Sequence, residues 1–233
     1  MIDYITKKDT IIFSPYYNKS IENGLLLKYN KIIFSNYEFR DDLFEKYLID
    51  NYSDDLEYVC SSFNKSLKLP TNITHLTFGC KFNQSLELPH NITHLTFDKY
   101  YNKVVKLPEN ITHLTFGQYF NQHIILPENI THLTFGVGFN QPVILPSNII
   151  HLTFGYKFNQ KVDFPFGIKY LKLSNDLAHN LDYIPEGIEV LELGVLFNSP
   201  LDNLPISLKI IKLYQHYKGS LKCIHPNTKV VYL

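Results

Sequence analysis

The sequence predicts a mainly β protein: a parallel β-solenoid of about twelve short coils with little helix. Three observations lead there. Prolines recur at Pro70, Pro89, Pro108, Pro127, Pro146, Pro165, Pro185 and Pro205, in steps of 19, 19, 19, 19, 19, 20 and 20. The intervals carry variants of one motif, N-I-T-H-L-T-F-G-x-x-F-N-Q-x-[ILV]-x-L-P, as from Asn110 to Pro127. Within it the apolar residues alternate over a few positions only, the mark of a short strand, and nineteen residues leave no room for a real helix as well.

The front of the chain reads as worn copies of this unit. Ile11 to Ile21 overlays F-G-x-x-F-N-Q-x-I, with Phe13 and Tyr17 in the aromatic positions, and Ile32-Ile33-Phe34-Ser35 begins another copy. Asp41 to Asn51 interrupts the pattern. Its Leu43, Phe44, Tyr47 and Leu48 fall at helical spacing behind acidic residues suited to a helix start. Leu56-Glu57-Tyr58-Val59 resumes the solenoid and Ser62 to Ser66 restores the motif. Residues 1–55 are therefore expected to be degenerate N-terminal repeats, or a cap, with one short helix.

Residues 56–165 are the regular 19-residue repeats. Ile73, Leu76 and Phe78 sit at spacing three then two, the L-x-x-L-x-L head of a leucine-rich repeat, so the solenoid is expected to be leucine-rich-repeat-like. Strand alternation turns Leu76 and Phe78 inward and His75, Thr77 and Gly79 outward. Gly79, Gly117, Gly136 and Gly155 are expected to permit a tight turn after the strand. Phe82 returns to the core, and Asn83 is placed to bond backbone groups the turn leaves unpaired. Two aromatic columns follow, Phe78 to Phe154 and Phe63 to Phe158, each ring stacked on its counterpart in the next coil.

Residues 166–233 are read as degenerate 20-residue repeats and a C-terminal cap, where Leu173, Leu193 and Leu213 replace the first column. Val231 and Leu233 are aligned with Ile211 and Leu213. The last strand carries no proline and only Lys229 nearby, so a homodimer through the C-terminal coil is one expectation.

Charge narrows the function. Lysine plus arginine and aspartate plus glutamate both number 22, for a net charge of zero. A grip on nucleic acid needs a basic excess, so none is expected. No stretch approaches the length of an apolar membrane span, and the first residues do not read as a signal peptide. No membrane partner is expected. Cys60, Cys80 and Cys223 show neither motif spacing nor an even count, so no disulfide or zinc site is expected.

The repeated F-G-x-x-F-N-Q block resembles the FNIP-repeat family, leucine-rich-repeat-like proteins of social amoebae and giant viruses. Phe82-Asn83-Gln84, Phe120-Asn121-Gln122, Phe139-Asn140-Gln141 and Phe158-Asn159-Gln160 carry the resemblance; Phe197-Asn198-Ser199-Pro200-Leu201 keeps its form. It implies a solenoid with a protein-interaction role and no established activity. Some relatives carry an F-box-like segment in front, which residues 1–55 do not resemble. The expected setting is intracellular, in the cytoplasm, or in the host cytoplasm if the protein is viral.

Candidate chemistry concentrates on the strand face. His75, His94, His113, His132 and His151 form a column continued by Tyr170, flanked by Thr77, Thr96, Thr115, Thr134 and Thr153. It reads as a self-stacking ladder or as a strip that binds a protein partner. A metal site is disfavoured, because a linear row does not converge tetrahedrally. No non-repeating cluster of acids, bases and nucleophiles is visible, so no catalytic residue, cofactor or enzyme activity is expected. The leading expectation is a scaffold that binds protein through its exposed strand face. The alternatives are a substrate-receptor subunit of a ubiquitin ligase and a self-assembling structural protein.

Overall fold

The structure is a computed structural model that describes residues 3–22, 24–36, 60–174, 184–198, 200–202 and 204–233. Twelve strands form one sheet in chain order. They are β1 (Tyr4–Lys7), β2 (Thr10–Phe13), β3 (Lys31–Phe34), β4 (His75–Thr77), β5 (His94–Thr96), β6 (His113–Thr115), β7 (His132–Thr134), β8 (His151–Thr153), β9 (Tyr170–Lys172), β10 (Val190–Glu192), β11 (Ile210–Leu213) and β12 (Lys229–Tyr232). From β2 onward every pairing is parallel. Among the described residues the one helical turn is a 3-10 segment, Leu25–Lys28.

The inward positions are filled as the period requires. Ile73, Leu76, Phe78 and Phe82, and their counterparts through Phe158, are at most 1% exposed. Each ring stacks on its counterpart in the next coil, as expected, and a closer packing joins the two columns. The tightest contact lies within a coil: Phe78 to Phe82, Phe116 to Phe120 and Phe135 to Phe139 have centroids 3.8, 3.7 and 3.8 Å apart. Between coils the spacing opens to 5.5 Å for Phe78 to Phe97 and 6.0 Å for Phe82 to Tyr101. The aromatic spine is thus a ladder of stacked pairs.

Two asparagine series tie coil to coil. Asn83 Oδ1 accepts from Asn102 N at 3.0 Å, and Asn121 Oδ1 accepts from Asn140 N at 2.9 Å and from Gln141 Nε2 at 3.2 Å. On the other side, Asn91 Nδ2 donates to the Thr71 carbonyl at 2.7 Å, and Asn110, Asn129 and Asn148 repeat the bond.

Several expectations need correction. The glycines after the strands do not adopt left-handed backbone; among the described glycines only Gly24 and Gly187 have positive φ. A methyl group on Gly136 would instead collide with the Gly117 carbonyl, because successive coils approach there backbone to backbone. At the front, β1 pairs antiparallel with β2, so the first strand is not a further parallel coil. At the rear, Val230 pairs with Ile211 and Tyr232 with Leu213, so the expected register is off by one residue. A slip of one exchanges the two faces, and it is Val230 that packs against the core.

The front also contains an insertion. β3 pairs directly with β4. Phe34 stacks on Phe63 at 4.0 Å, the partnership Phe78 has with Phe82. Phe34-Ser35 and Ser61-Ser62-Phe63 therefore belong to one coil, and residues 36–60 are an insertion in its sequence. The helix expected over Asp41 to Asn51 and the strand expected over Leu56 to Val59 lie outside the described residues. Asn36 closes the base of this insertion: its Oδ1 accepts from Ser61 N and Cys80 N, both at 2.9 Å. Cys60 and Cys80 are joined in a disulfide with Cα atoms 5.4 Å apart, against the expectation of no pairing. Coil stacking brings them together where no sequence motif announces it. Cys223 is a free, exposed thiol.

Candidate strand-face site

The parallel register puts all the expected strip residues on one face. His75 pairs with His94, His94 with His113, His113 with His132, His132 with His151, and His151 with Tyr170. Thr77, Thr96, Thr115, Thr134 and Thr153 run alongside in the same register. The imidazoles stack at centroid distances of 4.1, 4.1, 4.1 and 4.4 Å, within 12° of parallel. Tyr170 continues the stack at 5.7 Å. The first four rings are half-buried and His151 is exposed.

A second threonine series supports the ladder. Thr74, Thr93, Thr112 and Thr131 each precede a histidine, with Oγ1 2.8, 2.9, 2.9 and 2.9 Å from its Nδ1. Each hydroxyl also reaches a carbonyl of the preceding coil, at 3.3 Å for Thr74 and 3.2 Å for the other three. The T-H dipeptide stands in the motif, but strand alternation alone gives this threonine no assignment to either face.

Burial lowers the proton affinity of His75, His94, His113 and His132 below the ordinary 6.5. Neighbouring charge adds to it: Lys31 beside His75, and other ladder histidines beside the remaining three. Repulsion between rings would give the same direction, but here desolvation leads.

Beyond β8 the same face changes chemistry. Lys172, Glu192 and Lys212 take over the threonine column. Glu192 has an 8% exposed side chain held by Lys172 at 2.5 Å and Lys212 at 3.3 Å, and the Tyr170 hydroxyl donates to it at 2.9 Å. This charged patch was not foreseen from the sequence. Its signal was the i, i+20 alternation of Lys172, Glu192 and Lys212.

Among the described residues no group of three or more His, Cys, Asp or Glu side chains is arranged to hold a metal ion. A cleft of about 400 Å³ lies between Ile21, Leu26 and Leu27 on one side and Leu67, Leu69 and Pro70 on the other. It holds Ser20, Glu22, Ser66 and Lys68 but none of the ladder residues. No described helix is long and apolar enough to cross a membrane.

The family described as FNIP Repeat matches residues 63–100, 82–106, 101–138, 120–157 and 139–176. Residues 63–176 are FNIP repeats. In these repeats the F-G-x-x-F-N block is the ring pair, the close-approach glycine and the asparagine bridge described above. One similar solved structure is "The crystal structure of CroV588 a novel circular LRR protein structure", a giant-virus protein. The identity is 22% and the TM-score 0.53, over 99% of this chain and 51% of that one. The likeness extends the leucine-rich-repeat-like fold beyond the FNIP repeats, and the chain spans about half the length of that structure. No curated protein matches the chain.

Proposed function

We propose that the protein is a non-enzymatic repeat scaffold that binds a protein partner through the outward strand face of β4–β9. One observation carries the reading: ten histidine and threonine side chains stand in unbroken register across five strands, on a face that the packing of the coils does not require. A stack that merely solvated the sheet could vary from coil to coil, as the rear of the same face does.

The test compares two faces in one capture experiment from host extract. A strip variant, His113→Glu with Thr115→Lys, should lose the captured partner. A variant of the opposite surface, Ile125→Lys with Ile144→Lys, should keep it; both isoleucines are about 90% exposed, at 90% and 91%. Loss in the second variant with retention in the first would refute the strand-face assignment.

A further inference from the structure

The chain carries no net charge, but its strand face is divided. Strands β4–β8, with the residue that leads into each, hold no lysine, arginine, aspartate or glutamate. Strands β9–β11, taken the same way, hold Lys169, Lys172, Lys209 and Lys212 against Glu189 and Glu192. The neutral ladder therefore runs into a cationic patch. Tyr170 is the joint: its ring stacks on His151 at 5.7 Å and lies 5.6 Å from the Lys212 ammonium above it. At the other end of the ladder Lys31 is matched by Asp9 at 3.8 Å.

Depth decides what a ligand meets. Each glutamate bridges two lysines: Glu189 lies 3.7 Å from Lys169 and 2.6 Å from Lys209, and Glu192 lies 2.5 Å from Lys172 and 3.3 Å from Lys212. The Glu192 side chain is 8% exposed, against 37% and 31% for its lysines. Glu189 is 37% exposed, against 51% and 68%. Carboxylates form the floor and ammonium groups the rim. An ammonium has three donors, so a bridge to one carboxylate leaves others for a ligand. The bridges also hold the four side chains in place, and less rotamer freedom is lost when a ligand arrives.

We propose that this patch on β9–β11 receives an acidic stretch of the protein partner, a run of aspartate and glutamate side chains that continues off the ladder. The proposal rests on the strand face being the binding surface, and it gives the bound segment a polarity: neutral hydrogen-bonding groups over β4–β8, carboxylates over β9–β11. One lysine per glutamate would satisfy the ion pairs; the second lysine of each bridge is the surplus that an incoming carboxylate meets. A patch of this size on a chain of zero net charge suits a few carboxylates better than the continuous charge of a nucleic acid.

Backbone amide NMR of the full chain with an octa-glutamate peptide tests this at about pH 7.5, above the ordinary histidine range, and at about 0.01 M salt, where charges are weakly screened. The peptide should shift the amides of Lys169, Lys172, Lys209 and Lys212; shifts confined to other surfaces would overturn the proposal. Lys169→Gln with Lys209→Gln, both at exposed side chains, should weaken binding about tenfold or more, whereas Lys169→Arg with Lys209→Arg should keep it. A glutamine variant that binds like wild type would also overturn the proposal. An octa-arginine peptide should leave the patch untouched. Tighter binding of octathymidylate than of octa-glutamate would replace the acidic protein segment with a nucleic acid. Octa-glutamate binding together with capture that the strip variant leaves intact would overturn the role of the ladder and keep the patch. No binding together with capture that depends on the strip would overturn the acidic partner and keep the ladder.

Discussion

The strands β4–β8 and β9–β11 share one backbone register and fill it with different chemistry. In the first set the outward columns are neutral imidazoles and hydroxyls, and the inward column is Phe78 to Phe154. In the second the outward face carries Tyr170, Lys172, Glu192 and Lys212, and leucines replace the phenylalanines inside. The coil-to-coil hydrogen bonds hardly change: His113 N donates to the Thr93 carbonyl at 3.0 Å, and Val190 N to the Lys169 carbonyl at 3.0 Å. The sheet is therefore held by its main chain, and each side-chain position is a slot that can be refilled. What distinguishes the two halves is how a filled slot fails when it is altered.

The largest difference should appear in the core. Phe120→Ala removes a ring stacked on Phe116 at 3.7 Å and on Phe139 at 6.0 Å, and should cost about 3–5 kcal/mol. Leu193→Ala in the rear should cost less, since it deletes a smaller side chain. Equal shifts of the urea midpoint would erase the distinction.

Glycine separates the halves by mechanism. Gly136→Ala forces a methyl group against the Gly117 backbone and should cost about 1–3 kcal/mol through overpacking. Gly187 has φ of 100°, so Gly187→Ala should cost about 1–2 kcal/mol through backbone strain alone. Asparagine, which tolerates positive φ, should rescue position 187 and not position 136 in thermal unfolding.

Acid should act on the two halves in different windows. Each lowered histidine binds its proton more readily when unfolded, so its contribution is full above pH 6.5 and is lost as pH falls through its folded value. For Glu192, burial raises the proton affinity, but the bonds from Lys172, Tyr170 and Lys212 outweigh it and hold the carboxyl below 4.5. Its contribution persists below pH 6.5 and is lost only as pH falls from 4.5 through that lower value. Glu192→Gln should cost about 1–3 kcal/mol near neutrality and remove the lower window. Unfolding curves for this variant that matched wild type at every pH would refute the ion-pair role.

The smallest effect runs the other way. Tyr101 is fully buried and its hydroxyl has no partner among the described residues. Tyr101→Phe, which restores the residue found in neighbouring coils, should stabilise by about 1 kcal/mol. A loss of stability in thermal scans would mean that the hydroxyl is satisfied.

Most of this comparison was legible beforehand, because period and alternation together dictate which side chains stack. The phenylalanine pairs, the histidine column and the leucines that succeed Phe154 all follow from the 19-residue step. The threonine contacts beside the ladder were not legible, since they depend on a carbonyl supplied by the preceding coil. The coil shared by Phe34 and Phe63 was not legible, because residues 36–60 separate the two rings in the sequence and break the local period. The rear strand was misaligned by extending the 20-residue step to a place where the pairing follows nineteen. The cysteine pair was hidden because it joins successive coils across 20 residues, a pairing that only the stacking reveals.

The insertion of residues 36–60 has a kinetic consequence. Along β4–β8 each coil meets the next across 19 residues, as Thr93 does Thr74, whereas Thr74 reaches Asn30 across 44. Loop closure over the longer span costs about 0.7 kcal/mol more in chain entropy. Assembly should nucleate among the uniform coils, where each closure is short and gains a full ring pair, and propagate outward. The contact between β3 and β4 is then the slow step, and β1–β3 dock last on a template already formed. Pulsed hydrogen exchange during refolding should protect the amides of β5–β7 before those of β2 and β3, and simultaneous protection would contradict this order.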